Sequence, residues 1–235
     1  MKDIKDKICL SLDVNSFSKA KSLIESCTDY VGVFKVGLLP FLSFGKEILK
    51  LSKKINIFLD LKFFDIPSQV KNAVDWLLSF DLYMVNLHLV GGKEMVEEVV
   101  DVASKKSRPY IVGVTVLTSN AAPFELLGVK KGVKEIVEDL SVFAKELGLD
   151  GVVAPPVFLS SLRRKLGEDF LIVTPSIRPS WYKKKDDQKF SKTPYEAILL
   201  GSSLIVVGRP IILAKDPKEA ARSVYEEVES ALSER

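Results

Sequence analysis

Ile55-Asn-Ile-Phe-Leu-Asp-Leu-Lys-Phe-Phe-Asp-Ile-Pro67 begins as an apolar run and ends in charge. Its first part, Ile55 to Leu61, reads as a buried strand, because parallel strands covered on both faces appear as near-continuous apolar runs. Side chains alternate along a strand, so Asp60 and Lys62 are expected on one face with Phe58. Burying an acid beside a base is unfavourable unless the two pair. A second acid, Asp65, follows three residues after Lys62. Such a cluster at the end of a buried strand points to a chemical use.

The pattern of this stretch recurs along the chain. Eight short apolar runs are visible: Ile8–Val14, Val31–Leu38, Ile55–Lys62, Leu82–Val90, Tyr110–Leu117, Gly151–Pro155, Phe170–Ile177 and Leu204–Ile211. Amphipathic stretches of helical period lie between them, as in Ser16–Cys27, Ser68–Phe80, Lys93–Ser104, Val133–Leu147 and Pro217–Leu232. This alternation predicts βα units and a parallel sheet. Eight units in 235 residues predict one α/β domain over residues 1–235, a closed (β/α)8 TIM barrel. The alternative is a doubly wound open sheet. That fold favours a glycine-rich turn after the first strand, where this chain has Asp13-Val-Asn-Ser16.

Hydrophobic residues make up 47% of the chain, enough for a large core. A net charge of +3 with dispersed basic residues argues against nucleic acid as a partner and leaves anionic small molecules open. Cys9 and Cys27 have neither metal-type spacing nor a disulfide framework and read as buried thiols. Met1 to Lys7 is too charged for a signal peptide, and no run of about 18 apolar residues suggests a membrane span. A cytoplasmic protein with no membrane partner is the expectation.

In a barrel of this kind, functional groups collect at the carboxyl ends of the strands. Here those ends carry Asp13, Lys35, Asp60 with Lys62, His88, Thr118, Arg178 and Gly208-Arg209. The amino-terminal ends show no comparable concentration. Gly208 lets a ligand approach the backbone, and Arg209 offers a fork of donors matched to phosphate oxygens. Backbone amides near a helix start add to such a site, and the loops after strands seven and eight are its frequent place. A plain turn with a surface arginine would look the same in isolation. His88 is the sole histidine; it has no Gly-x-Ser-x-Gly partner, and a structural hydrogen-bonding role is the simpler reading. Glu94, Glu97 and Glu98 share a helix with no histidine, which disfavours a metal site there. Arg178 to Thr193 is long for a βα loop, so it is either a lid or a solvated charged stretch.

Taken together, these motifs resemble the orotidine 5′-phosphate decarboxylases. The likeness runs through Ser11-Leu-Asp13, Phe34-Lys-Val-Gly37, Asp60-Leu-Lys-Phe-Phe-Asp-Ile-Pro67 and Val114-Thr-Val-Leu-Thr-Ser119. It continues through Val173-Thr-Pro-Ser-Ile-Arg-Pro179, Asp186-Asp-Gln188 and Val206-Val-Gly-Arg-Pro210. The resemblance implies a homodimeric barrel that decarboxylates orotidine 5′-monophosphate to uridine 5′-monophosphate in pyrimidine biosynthesis, with neither metal nor cofactor. It implies a catalytic array of Lys35, Asp60 and Lys62, with Asp65 supplied across the subunit interface and Lys62 as proton donor. Asp13 and Lys35 would hold the ribose hydroxyls, and Thr118 would contact the pyrimidine and nucleotide. Arg178, Gln188, Gly208 and Arg209 would gather the phosphate, with Gln188 on a lid spanning about residues 178–193. The family usually has glycine where this chain has Ser176, so a modest local adjustment of the phosphate loop is expected.

Two other readings share features with this one. Related barrels act on sugar phosphates through magnesium and share an Asp-x-Lys-x-x-Asp strand, but place an acidic metal ligand where this chain has Lys35. A non-catalytic nucleotide-phosphate binder could use the same barrel, since fold alone never proves activity.

Overall fold

A computed structural model describes residues 3–105, 109–117, 128–183 and 190–235. Its strands are β1 (Ile8–Ser11), β2 (Val33–Val36), β3 (Asn56–Phe63), β4 (Met84–His88), β5 (Tyr110–Val114), β6 (Gly151–Val153), β7 (Leu171–Thr174) and β8 (Leu204–Val207). Neighbours in the chain pair in parallel, and β8 returns to β1 through Cys9 opposite Val206. The sheet is therefore the closed eight-stranded barrel expected, and the open-sheet alternative falls away.

Helices cover the outside: α1 (Phe17–Cys27), α2 (Leu38–Phe44), α3 (Lys46–Leu49), α4 (Pro67–Leu77), α5 (Gly92–Ser104), α6 (Val133–Glu146), α7 (Leu159–Leu166), α8 (Pro194–Leu199), α9 (Arg209–Ile212) and α10 (Pro217–Ser233). In α1, the Ser16 hydroxyl caps the first turn by accepting the Lys19 N–H at 3.3 Å. Ala20, Leu23, Ile24 and Cys27 then recur at helical spacing and are the buried face. Truncating a fully buried Leu such as Leu23 to Ala would cost about 2–5 kcal/mol. Asp216 caps α10 in the same way, and Pro217 occupies its first turn. Among the described residues, no helix is long and apolar enough to cross a membrane.

The barrel strands have two buried faces. Leu10, Ile57, Leu59, Val85, Ile172 and Ile205 point outward to the helices. Cys9, Val33, Phe58, Met84, Val112 and Val206 fill the inside. With a period of two, the next inward residues are Ser11, Lys35, Asp60 and Asn86. An apolar plug thus supports a polar layer at the carboxyl end of the first four strands. The ladders are shorter than the apolar runs, ending at Ser11, Val36, His88, Val114 and Thr174. Residues beyond them, such as Leu12, Val14, Val116 and Ile177, stay apolar because they remain buried in the main hydrophobic core.

Candidate active site

Asp60 is the centre of the polar layer and is 8% exposed. Its Oδ2 meets the Lys35 ammonium at 3.0 Å, and its Oδ1 meets the Lys62 ammonium at 2.6 Å. Oδ1 also accepts the Asn86 amide at 2.6 Å. Burial alone would raise the Asp60 pKa, but Lys35, Lys62 and these hydrogen bonds outweigh it and hold the carboxyl far below the usual carboxylate range. Burial likewise would lower Lys35, yet Asp60 and then Asp13 hold it above the ordinary lysine value. Asp13 stands 3.8 Å from Lys35 and accepts the Ser11 hydroxyl at 2.7 Å. A side chain at Gly37 would come within 3.3 Å of Asp13 Oδ1 and 3.4 Å of Lys35 Nζ, so a bare α-carbon keeps this corner open.

Asp60 and Lys62 meet on the mouth side as alternation predicts, with Leu61 and Phe63 packed toward the helices, but the strand between them is not regular. The β3–β4 register shifts between Leu59 and Phe63, and Lys62 has a φ of 50°. Between Leu59 and Phe63 β3 advances four residues while β4 advances two, from Val85 to Leu87, and this bulge sits at the barrel mouth, as bulges do near functional sites. Asn86 closes the break: its Oδ1 accepts the displaced Lys62 N–H at 2.8 Å.

The array forms one wall of a cavity of about 210 Å³. Pro175, Ser176, Arg178, Gly208 and Arg209 line its other side, and Val114, Val116, Leu117, Val153 and Val206 supply apolar floor and wall. A β-carbon at Gly208 would lie 3.2 Å from that of Ser11, so this residue must be small where β8 meets the site. Ser176 is buried with a φ of 65°. The chain therefore keeps a glycine-type angle on a serine, and the expected local adjustment is not a retreat to an ordinary angle. The Arg178 guanidinium lies 5.8 Å from the Tyr182 ring centroid and donates to the Ile177 carbonyl at 2.9 Å. The Arg178 N–H also reaches the Lys192 carbonyl at 2.9 Å, and Ile177 bridges Lys192. The long loop after β7 thus leaves and returns at one pinned stem.

The other sequence candidates fall in three groups. Asp65 is exposed, bonds only the next backbone N–H at 2.7 Å, and forms no ion pair among the described residues. His88 lies beside Phe64, with ring centroids 6.2 Å apart, and its buried Nδ1 has no hydrogen-bond partner among the described residues. Burial, and then the Lys62 charge, lower its pKa. Thr118 and Gln188 lie outside the described residues. Asn86 is not singled out by the sequence, and Ser11 and Gly37 enter there only as ends of motifs, with no role of their own. Two-residue spacing from Met84 and Cys9 would have found the first two. Among the described residues, no three His, Cys, Asp or Glu side chains gather in a metal-binding group. Both cysteines are free and buried, as expected.

A sequence profile of the "Orotidine 5'-phosphate decarboxylase / HUMPS family" matches residues 6–224. The chain belongs to that family. An orotidine 5′-phosphate decarboxylase of Dictyoglomus thermophilum is 41% identical, with 98% of each chain covered. One from Trichlorobacter lovleyi is 39% identical, with 96% of each covered. Among solved structures, the orotidine 5′-phosphate decarboxylase of Lactobacillus acidophilus superposes with a TM-score of 0.81 at 32% identity, covering 95% of this chain and 99% of its own. The resemblance carried by the sequence motifs is therefore borne out as family membership, and with it the expectation of a decarboxylase of pyrimidine biosynthesis.

Proposed function

We propose that this chain converts orotidine 5′-monophosphate to uridine 5′-monophosphate and carbon dioxide without a cofactor, using Lys62 as proton donor. The observation that carries the reading is Asp60 held between the ammonium groups of Lys35 and Lys62, at 3.0 and 2.6 Å. The bond from pyrimidine carbon 6 to its carboxylate breaks heterolytically, and carbon dioxide leaves. The electron pair stays in the ring plane, where the π system delocalises it poorly. A fixed ammonium beside that carbon stabilises the developing charge electrostatically and then transfers a proton to it. Lysine suits both tasks, since arginine would not release its proton. Solvent restores the proton to Lys62.

Asp60 keeps Lys62 in place, and Lys35 balances the carboxylate. Asp13 and Lys35 hold the ribose hydroxyls, and Thr118 contacts the pyrimidine and nucleotide. Arg178, Gln188, Gly208 and Arg209 gather the phosphate, and the loop of residues 178–193 acts as the lid. Phosphate binding far from carbon 6 drives closure, so remote binding energy assembles the site.

The enzyme works as a cytoplasmic homodimer in which each subunit lends Asp65 to the other's array. Leu38, Leu39, Leu42, Phe64, Ile66 and Val90 support this, because these large side chains are exposed on the connections after β2, β3 and β4. Exposed apolar side chains of that kind, with Phe64 and Ile66 flanking Asp65 in the chain, suit a self-complementary contact. A divalent-metal mechanism is disfavoured by Lys35, whose ammonium occupies the side of Asp60 that a cation would need.

Purified Lys62→Ala protein, checked for its fold by circular dichroism, decides the central claim. Pyrimidine absorbance is followed with orotidine 5′-monophosphate as substrate. Near-complete loss of turnover is expected, and substantial decarboxylation would remove Lys62 from this role. The unchanged enzyme should keep its activity in excess chelator; loss there would favour the metal-dependent sugar-phosphate chemistry. Nucleotide binding with no spectral change would favour the non-catalytic binder.

A further inference from the structure

Asn86 is fully buried on β4, and both ends of its amide are committed. The orientation of the amide follows from its partners. The Lys62 backbone N–H can only donate, so it takes Oδ1 at 2.8 Å; the ionised Asp60 carboxylate can only accept, so it takes Nδ2 at 2.6 Å. The Asp60 oxygen that receives Nδ2 is also the one that receives the Lys62 ammonium. A closed ring of contacts results, running from the Asn86 amide to the Asp60 carboxylate, the Lys62 ammonium and back through the Lys62 backbone.

That ring sits where β3 leaves its ladder with β4. A left-handed angle is unfavourable for a residue with a β-carbon and persists only where its surroundings over-determine it. At Lys62, the side chain of Asn86 replaces the lost ladder partner.

We propose that Asn86 is a positioning residue for decarboxylation, fixing Lys62 in its left-handed bulge and Asp60 in its orientation so that the Lys62 ammonium is presented in one place. The proposal rests on Lys62 being the proton donor. No apolar side chain of this size could serve both neighbours, because one end must accept and the other donate. Aspartate has the same shape and keeps the acceptor, but it loses the donor and sets a second carboxylate against Asp60. The charged and titratable groups around that point are Asp60 and Lys62 on β3, Lys35 on β2, Cys9 on β1 with Asp13 just beyond, and His88 on β4. Two carboxylates in contact resist joint ionisation, so one of them takes up a proton more readily than an isolated acid.

The test compares Asn86→Ala, Asn86→Asp and unchanged full-length enzyme, measuring kcat and KM across mildly acidic to neutral pH, with circular dichroism melts. In Asn86→Ala, kcat is expected to fall on the order of 100-fold, as for a small misplacement of a reacting group, with KM little changed. In Asn86→Asp, kcat is expected to recover as pH falls and the introduced carboxyl is protonated, a limb the unchanged enzyme lacks. A folded Asn86→Ala protein with undiminished kcat would overturn the proposal. So would an Asn86→Asp profile parallel to that of the unchanged enzyme, and this isosteric variant decides alone if the alanine variant fails to fold. Loss of activity in Lys62→Ala together with full activity in both Asn86 variants would remove this inference while leaving the proton-donor role standing. Retained activity in Lys62→Ala would remove both.

Discussion

Lys35 Nζ lies 3.0 Å from Asp60 Oδ2, and this ion pair ties β2 to β3 at the mouth of the barrel. Each group keeps its charge because of the other. Burial works against both, and their mutual attraction reverses its effect on both. The pair is largely withdrawn from water, with side-chain exposures of 13% and 10%. Removing one member therefore differs sharply from removing both.

Lys35→Met is expected to destabilise the protein by about 3 kcal/mol, because it strips a buried carboxylate of one of its two cations. The double variant Lys35→Met with Asp60→Leu should regain much of that loss and remain inactive. Urea unfolding measures both. A single variant as stable as the unchanged protein would mean that Lys62 and Asn86 satisfy Asp60 by themselves.

The pH dependence of stability follows from the directions of the two shifts. Asp60 has a depressed folded-state pKa, so its contribution is complete above the unfolded value of about 3.9 and fades as pH falls through the folded value below it. Lys35 has a raised pKa, so its contribution is complete below about 10.4 and fades as pH rises through the folded value above that. Melting temperatures of the unchanged protein and Asp60→Asn should therefore differ by a constant amount across the neutral range and converge in acid. A gap that widens as pH falls would contradict the assigned direction for Asp60.

Lys62→Gly should be more stable than Lys62→Ala by about 1 kcal/mol, although glycine is usually the poorer choice in a strand. Both variants lose the ammonium, so their comparison isolates the backbone, whose φ of 50° suits glycine. Thermal unfolding of the two variants gives the answer, and an alanine variant equal to or above the glycine variant would mean that Lys62 relaxes to an ordinary angle once its side chain is gone.

Arg209→Ala is expected to lower kcat as well as raise KM. Arg209 lines the cavity opposite the charged array. In the proposed mechanism its grip on phosphate drives closure, so its loss reaches the chemical step. Steady-state kinetics separate the two parameters, and an effect confined to KM would reduce Arg209 to a simple anchor.

Mixing inactive Lys62→Ala and Asp65→Asn proteins should restore roughly a quarter of normal activity if subunits exchange and each dimer has two shared sites. Half the dimers are then mixed, and each mixed dimer has one site with both native residues. Full activity of Asp65→Asn alone would show that Asp65 serves no site. Failure of the mixture to recover, with exchange demonstrated by native mass spectrometry, would place Asp65 in its own subunit's chemistry.

Much of this molecule is legible from local pattern. The barrel follows from apolar runs alternating with helical stripes such as Ala20, Leu23, Ile24 and Cys27, because the two periods, near 2 and 3.6, are properties of the backbone itself. Placement of Asp13, Lys35, Asp60, Gly208 and Arg209 at one end follows from the same count, since parallel strands all finish on one side. Two-residue spacing from Met84 places Asn86 on the inner face, but its role has no local signal, because its partners Asp60 and Lys62 lie on another strand.

The amino-acid sequence by itself determined the eight βα units, the family and the set of charged residues at the mouth. Only the tertiary structure decided how those residues meet. The bulge in β3, the left-handed angle of Lys62 and the clasp of Asn86 depend on the register between β3 and β4, which is set by residues more than twenty positions apart. The pinned stem between Arg178 and Lys192 is likewise a non-local contact. Local sequence dictates periodicity and propensity, whereas a register is chosen by the summed packing of the whole barrel, and at Lys62 that packing prevails over the preference of a single residue.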